Sequence, residues 1–185
     1  GTPVAALAQA VEAEGWQLPL ALPSPYASVG GVLATAASGP RSLGFGPARD
    51  CVLGLEVALA SGERTRCGGR VVKNVTGYDL AKLYVGSFGS LGVIEAAWLR
   101  LCPTPRAVRH SVAELAPGAA SLRLGLEVAR REGSRAVALV SSRLAPQLYP
   151  ASTRRSARSG WLLVVEHAGE EPLCERDADW LAQQP

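Results

Sequence analysis

Hydrophobic residues recur at helical spacing at the start of the chain. Val4, Leu7 and Val11 lie three and four residues apart, which predicts an amphipathic first helix. Thr2 offers a capping hydroxyl and Pro3 suits the first helical position, so we expect the helix to begin there.

A different period governs the middle of the first half. Residues 51–60 alternate between apolar and other side chains, which is typical of a strand with one buried face. The side chains predicted to face inward are Leu53, Leu55, Val57 and Leu59. Ser61 and Gly62 then turn the chain into a second strand at residues 63–67, and a β-hairpin is expected.

The segment from residue 71 to residue 94 is divided by closely spaced glycines. A helix is predicted from Tyr78 to about residue 85, with Lys82 beside Asp79 on its outer side. Its inward side chains are predicted to be Leu80, Leu83 and Tyr84. The loop that follows, residues 86–92, precedes a predicted strand at 93–101. Two interpretations of this loop stay open, a tight turn and a backbone that cradles a ligand.

Residues 29–39 are almost entirely small. If a helix starts after Gly30 and Gly31, its first free amides would face an anion such as a phosphate, although a glycine pair before a helix also occurs in ordinary cores. Residues 41–50 are predicted to form a loop, in which Arg49 and Asp50 pair with each other or pin the chain.

The pattern of predicted strands and helices changes after Pro103 and Pro105. We place a domain boundary there, between residues 1–105 and residues 106–185. The second part predicts strands at 108–115, 135–142 and 160–167, with helices at 117–132 and 171–183. The order βαββα is that of a ferredoxin-like unit without its last strand. In its first helix, the side chains predicted to face inward are Leu122, Leu126, Val128 and Ala129.

Composition narrows the function classes. Aromatic residues make up 5% of the chain and the net charge is only +3, so a nucleic-acid surface is not expected. No C-x-x-C pair or metal-like spacing occurs, so the four cysteines are interpreted as free thiols and no metal site is predicted. His110 and His167 fall on predicted strands and are interpreted as structural. No apolar run is long enough to insert directly into a membrane, so we expect a cytoplasmic protein, which partners can hold at the inner membrane.

The two ends of the sequence suggest an internal piece of a longer protein. The chain begins with Gly1, contains no methionine and stops at Pro185, soon after a helical pattern. A trimmed or processed product would have the same appearance.

The ordered set of motifs resembles one known family. The motifs are Val29-Gly30-Gly31, Ala34-Thr35, Ser38-Gly39-Pro40-Arg41, Gly46, Arg49-Asp50-x-Val52-Leu53-Gly54, Lys73-Asn74-Val75-x-Gly77-Tyr78-Asp79-Leu80 and Gly86-Ser87-x-Gly89-x-Leu91-Gly92-Val93-Ile94. Together they resemble the second half of the FAD-binding domain of the vanillyl-alcohol-oxidase, or PCMH-type, flavoproteins, with most likeness to the FAD-binding subunit of bacterial glycolate oxidase. The implied fold is α+β, this half-domain followed by an incomplete ferredoxin-like cap domain.

The resemblance also implies a set of FAD-binding residues. Gly30 and Gly31 would give backbone amides to the pyrophosphate of FAD. The flavin would be lined by Thr35, Ser38 and Gly39. The adenosine part would lie along Gly89, Gly92 and Ile94, and the wall toward the ring would be shaped by Lys73, Asn74 and Tyr78. Related loops generally carry a glutamate where this chain has Phe88, which puts a polar role of that position in doubt.

By the same resemblance, the chain is expected to bind FAD in a flavin-dependent 2-hydroxy-acid oxidase or dehydrogenase complex, beside a catalytic flavoprotein subunit and an iron-sulfur subunit. The family's first FAD subdomain would precede Gly1, and no cap-domain residue here matches the substrate-holding groups of catalytic relatives. Catalytic residues therefore stay unknown, and these 185 residues alone are expected to be inactive and to hold FAD weakly or not at all. Two alternatives stay open, a scaffold subunit that docks a catalytic flavoprotein without using FAD, and an α+β domain with no cofactor.

Overall fold

The structure is a computed structural model that describes residues 1–20, 24, 26–69, 79–141, 144 and 160–184. The chain divides into two compact units, Gly1–Thr104 and Pro105–Pro185. Each unit has its own sheet and its own hydrophobic core, and each is described by itself.

The first unit combines short helices with two small sheets. Its helices are α1 (Val4–Glu12), α2 (Val29–Thr35), α3 (Ser42–Phe45), α4 (Ala48–Cys51) and α5 (Ala81–Tyr84). Its strands are β1 (Trp16–Gln17), β2 (Val52–Ala58), β3 (Arg64–Gly68), β4 (Val93–Leu99) and β5 (Cys102–Pro103). The larger sheet has the antiparallel order β3-β2-β4, and β1 pairs with β5.

The predicted hairpin is confirmed. β2 and β3 pair antiparallel, and Leu55 and Val57 of the alternating run are completely buried beneath α2 and α5 residues such as Leu33 and Ala81. The reason is that β2 is the central strand, so its inner face meets the helices while its edges are both paired.

The first helix forms as predicted, but Thr2 does not cap it. α1 has Pro3 at its N-cap with no side-chain capping bond. The Thr2 carbonyl instead accepts a hydrogen bond from the Val29 amide, and Pro3 forms a bridge with Ser28. The start of α1 is therefore fixed by the segment that leads into α2, and not by a local cap.

Two predictions about the segment before β4 are wrong. Among the described residues the helix is only the single turn α5, and Leu80 and Leu83 are 48% and 60% exposed instead of buried. Ala81 takes the buried position, with Tyr84 packed beside it. The ion pair between Lys82 and Asp79 does form, at 3.2 Å.

Residues 41–50 also differ from the prediction of a plain loop, since α3 and α4 occupy most of them.

The second unit has the predicted element order. Its elements are β6 (Ala107–Leu115), α6 (Ala119–Ala129), β7 (Ser134–Ser141), β8 (Trp161–Gly169) and α7 (Glu171–Ala182). The sheet has the antiparallel order β6-β8-β7, so the third strand lies between the first two, as in a split βαβ unit.

The inward face of α6 was predicted incorrectly at two positions. Leu122 and Leu126 are 50% and 59% exposed, whereas Ser121, Gly125 and Val128 face the sheet. A side chain at Gly125 would stand 3.5 Å from the Leu139 side chain. The helix therefore approaches β7 closely through small residues, which rotates the leucines outward.

Candidate functional site

The structure joins α2 to the loop of residues 86–92, the two segments that the sequence singled out. The Gly86 amide donates to the Leu33 carbonyl at 2.9 Å, and the Phe88 amide donates to the Ala34 carbonyl at 2.8 Å. A side chain at Gly86 would lie 3.3 Å from the Ala36 Cβ. The end of α2 and the loop are thus held in contact through their backbones.

The first turn of α2 differs from the expectation in where it starts. The helix begins at Val29, so Gly30 and Gly31 lie inside it and not before it. Ser28 is its N-cap, and its hydroxyl oxygen accepts a hydrogen bond from the Gly31 amide at 3.1 Å. The Gly31 amide is therefore engaged by the cap in this structure, and its expected role at the pyrophosphate stays a prediction.

The Gly30 amide meets no acceptor among the residues that the structure describes. A side chain at Gly30 would point at the Ile94 carbonyl, 3.6 Å away, so α2 lies close to the start of β4. Ile94 itself packs its side chain against the core of the first unit. Gly30 can therefore offer a donor, while Ile94 can offer only its backbone.

The predicted flavin-lining residues extend from the end of α2. The Thr35 hydroxyl donates to the Gly31 carbonyl at 2.8 Å, and its oxygen can still accept. Ser38 is exposed, and nothing lies within 4 Å of the place a side chain would take at Gly39. The Gly39 carbonyl accepts from Ser42, which ties this open backbone to α3.

The two loop glycines differ. Gly89 is exposed and faces open space, whereas a side chain at Gly92 would lie 2.6 Å from Val57 Cγ1 and 2.8 Å from the Ala58 carbonyl. Gly92 is therefore required by packing against β2, and Gly89 is the one with room for a ligand. Lys73, Asn74 and Tyr78 lie outside the described residues.

These observations fit a cofactor that is bound mainly by backbone. Gly39 and Gly89 have open space where a side chain would be, the Gly30 amide is an available donor, and Thr35 carries a hydroxyl. The described candidates carry no carboxylate, imidazole, thiol or amine, and their only polar side-chain groups are the hydroxyls of Thr35 and Ser38. The arrangement can bind and orient a polar, extended molecule, and it offers no group of its own for proton transfer.

Three features of the site were not predicted from the sequence. The capping role of Ser28 was not recognised, although a serine three residues before Gly31 is a usual N-cap signal. Ala36 and Phe88 adopt left-handed backbone angles, φ 49° and 53°. No sequence signal indicates such a conformation at a non-glycine residue.

Cys51 and the two histidines are not among the candidate site residues. Burial raises the pKa of the Cys51 thiol to about 11, so it stays protonated at neutral pH. His167 is completely buried in the second unit, where its Nε2 lies 3.2 Å from the Ser111 hydroxyl. His110 is more exposed and contacts the Glu166 carboxylate. Among the described residues, no group of three metal-binding side chains occurs.

The second unit contains a buried ionic cluster next to His167. Asp177 is fully buried and accepts hydrogen bonds from Arg131 and from the Gly133 amide. Burial by itself raises the pKa of Asp177. The Gly133 amide and the Arg176 and Arg131 guanidinium groups together lower it by more, so the pKa lies below its usual value. This cluster fixes α7 against the loop before β7 and has a structural role.

Comparison with known proteins identifies similar chains. Residues 1–68 match the model of the FAD binding domain. Glycolate oxidase subunit GlcE of Escherichia coli strain K12 is 42% identical over 109 residues, 58% of this chain and 31% of the relative. Glycolate oxidase subunit GlcD of Bacillus subtilis strain 168 is 43% identical over 101 residues, 52% of this chain and 21% of the relative.

The bovine mitochondrial D-2-hydroxyglutarate dehydrogenase is 44% identical over 109 residues, 58% of this chain and 20% of that protein. A solved structure of alkyldihydroxyacetonephosphate synthase superposes with a TM-score of 0.74 at 18% identity, over 97% of this chain and 36% of the other. At that identity the likeness shows the fold alone, and with the family match it confirms the predicted fold class. The chain spans about a fifth to a third of these proteins' lengths.

No helix in the described part of the chain is both long and apolar enough to span a membrane.

Proposed function

We propose, from the premise that this chain belongs to the PCMH-type FAD-binding family, that it forms part of the FAD site of a flavin-dependent 2-hydroxy-acid oxidase or dehydrogenase. The observation that carries the proposal is the backbone junction between α2 and the loop of residues 86–92. It holds the loop that contains Gly89, which has open space where a side chain would be, against the end of α2 next to Thr35.

When bound, FAD supplies the hydride acceptor, and the chain's own residues bind and orient it. The Gly30 amide would donate to a phosphate oxygen, and the Thr35 hydroxyl would contact a polar edge of the flavin. Gly89 leaves room for the cofactor beside the loop. None of Gly30, Thr35 and Gly89 carries an acid or a base for substrate oxidation.

The names of the relatives support a multisubunit setting. Two of them are subunits of glycolate oxidases, and a third is a 2-hydroxy-acid dehydrogenase by name. We therefore assign this protein to a complex with a catalytic flavoprotein subunit and an iron-sulfur subunit, with glycolate or a similar 2-hydroxy acid as substrate. No comparison favours a scaffold that leaves FAD unused.

The test is a titration of FAD against the purified chain, followed by the change in flavin fluorescence. We expect measurable but weak binding. Gly89→Asp adds a negative charge where the cofactor would lie, and it should weaken FAD binding roughly 10-fold, as expected for about 1.4 kcal/mol of repulsion.

Gly62→Asp is the matched control, because Gly62 is also exposed, has a positive φ of 87° and has nothing within 4 Å of a new side chain. It lies in the β2 to β3 turn and should leave FAD binding unchanged. The proposal fails if the wild-type chain binds no FAD at millimolar concentrations, or if both variants lose the same affinity.

A further inference from the structure

Phe88 is an aromatic residue in an unusual position. Its side chain is 77% exposed, and it is one of two non-glycine residues with positive φ in the described chain, at 53°. A bulky residue in the left-handed region is strained, and an exposed ring gains nothing from the core. Both the backbone conformation of Phe88 and the exposure of its ring therefore lower the stability of the fold.

The backbone of Phe88 is fixed to α2. Its amide donates to the Ala34 carbonyl, one residue before Thr35 and one helical turn after Gly30. With a rise of about 1.5 Å per residue, Ala34 lies roughly 6 Å along the helix axis from Gly30. The backbone that carries the ring therefore lies beside Thr35, a residue of the proposed FAD site.

Phe88 belongs to none of the hydrophobic clusters of the first unit. What its ring can offer to a ligand is a flat apolar face, and stacking on a base is the interaction that such a face makes best. FAD has two flat ring systems. The isoalloxazine reacts and needs a site that excludes water, whereas adenine carries no reacting atom and tolerates an exposed rim.

We propose that Phe88 stacks on the adenine ring of bound FAD. The proposal rests on the proposed function, since it names a residue for the same site. It assigns to Phe88 a binding role and no part in the redox step.

The experiment separates the two halves of the cofactor. FAD, ADP and FMN are titrated separately by calorimetry against the wild-type chain and against Phe88→Leu, which keeps apolar volume but removes the aromatic face. We expect Phe88→Leu to weaken FAD and ADP about 10-fold, the effect of one base-stacking contact, and to leave FMN unchanged. Phe88→Trp should retain the wild-type affinity for both adenine ligands.

Leu91→Ala is the control, since Leu91 is 51% exposed in the same loop and has no aromatic face. Circular dichroism shows whether each variant is folded. Unchanged ADP binding by Phe88→Leu, or a loss confined to FMN, would overturn the stacking and leave the proposed function intact. A wild-type chain that binds none of the three ligands would overturn the proposed function and this inference together.

Discussion

At the scale of single residues, two glycines of one loop are retained for different physical reasons. Gly92 has no room for a side chain, because Val57 and the Ala58 carbonyl lie where a Cβ would be. Gly89 faces open space, and its only constraint is a φ of 78°. A glycine pattern in a sequence therefore does not distinguish packing from ligand binding.

The difference predicts that substitution by alanine lowers the free energy of unfolding by unequal amounts at the two positions. Gly92→Ala should destabilise the first unit by about 2 kcal/mol or more, because the new methyl group overlaps β2. Gly89→Ala should cost only about 1 kcal/mol, from the left-handed backbone. Urea unfolding followed by tryptophan fluorescence measures both, and equal losses would show that the 2.6 Å approach to Val57 is not maintained in solution.

At the scale of elements, α2 is short and depends on its cap. Its seven residues include two glycines, so its intrinsic helix propensity is poor. Ser28 compensates by accepting from the Gly31 amide, and the loop of residues 86–92 holds the other end through the Leu33 and Ala34 carbonyls. Each end of α2 thus receives hydrogen bonds from residues outside the helix.

Ser28→Ala is expected to destabilise the first unit by about 1 kcal/mol, the usual value of an N-cap. Ser61→Ala provides the comparison, because Ser61 lies in an exposed hairpin turn and should change stability much less. Thermal unfolding of the two variants beside the wild type gives the measurement. If the two serines prove equivalent, the cap does not hold α2.

At the scale of the whole molecule, the two units should respond differently to pH. The chain has two histidines, and both lie in the second unit. Burial lowers the pKa of His167, the charge of Asp177 opposes that shift, and Arg131 and His110 add to it. Its Nδ1 and the Ser134 hydroxyl on the paired strand are buried without a partner among the described residues.

The sign of the pH effect follows from this lowered pKa. The unfolded chain takes up a proton near the ordinary value of 6.5 while folded His167 does not, so acid favours unfolding of the second unit. Its stability should fall as the pH drops below 6.5 toward the folded pKa. Loss of the Asp177 contribution belongs to a separate window below pH 3.8.

Hydrogen exchange, corrected for intrinsic rates, at about pH 7.5 and about pH 5.5 tests this unit by unit. Peptides from the β8 and α7 region should lose protection at the lower pH, and peptides from β2 should not. His167→Gln should remove the effect, whereas His110→Gln, at a more exposed site, should keep it. Loss of protection of similar size in both units would contradict a role for His167.

The sequence by itself determined the features that depend on local periodicity and turn chemistry. The β2 to β3 hairpin and the βαββα order were both predictable, because alternation, helical spacing and turn residues act within a few residues. The order of the motifs was also sufficient to indicate the family and FAD.

Only the tertiary structure decided which faces and groups are available. Leu80, Leu83, Leu122 and Leu126 lie on the outside because small neighbours allow closer contact with the sheets, and periodicity does not register how near a partner comes. The engagement of the Gly31 amide by Ser28 and the outward position of Phe88 likewise depend on contacts between separate segments. Which side chains are buried and which amides stay free depends on how the elements pack against each other, so it is decided only in the tertiary structure.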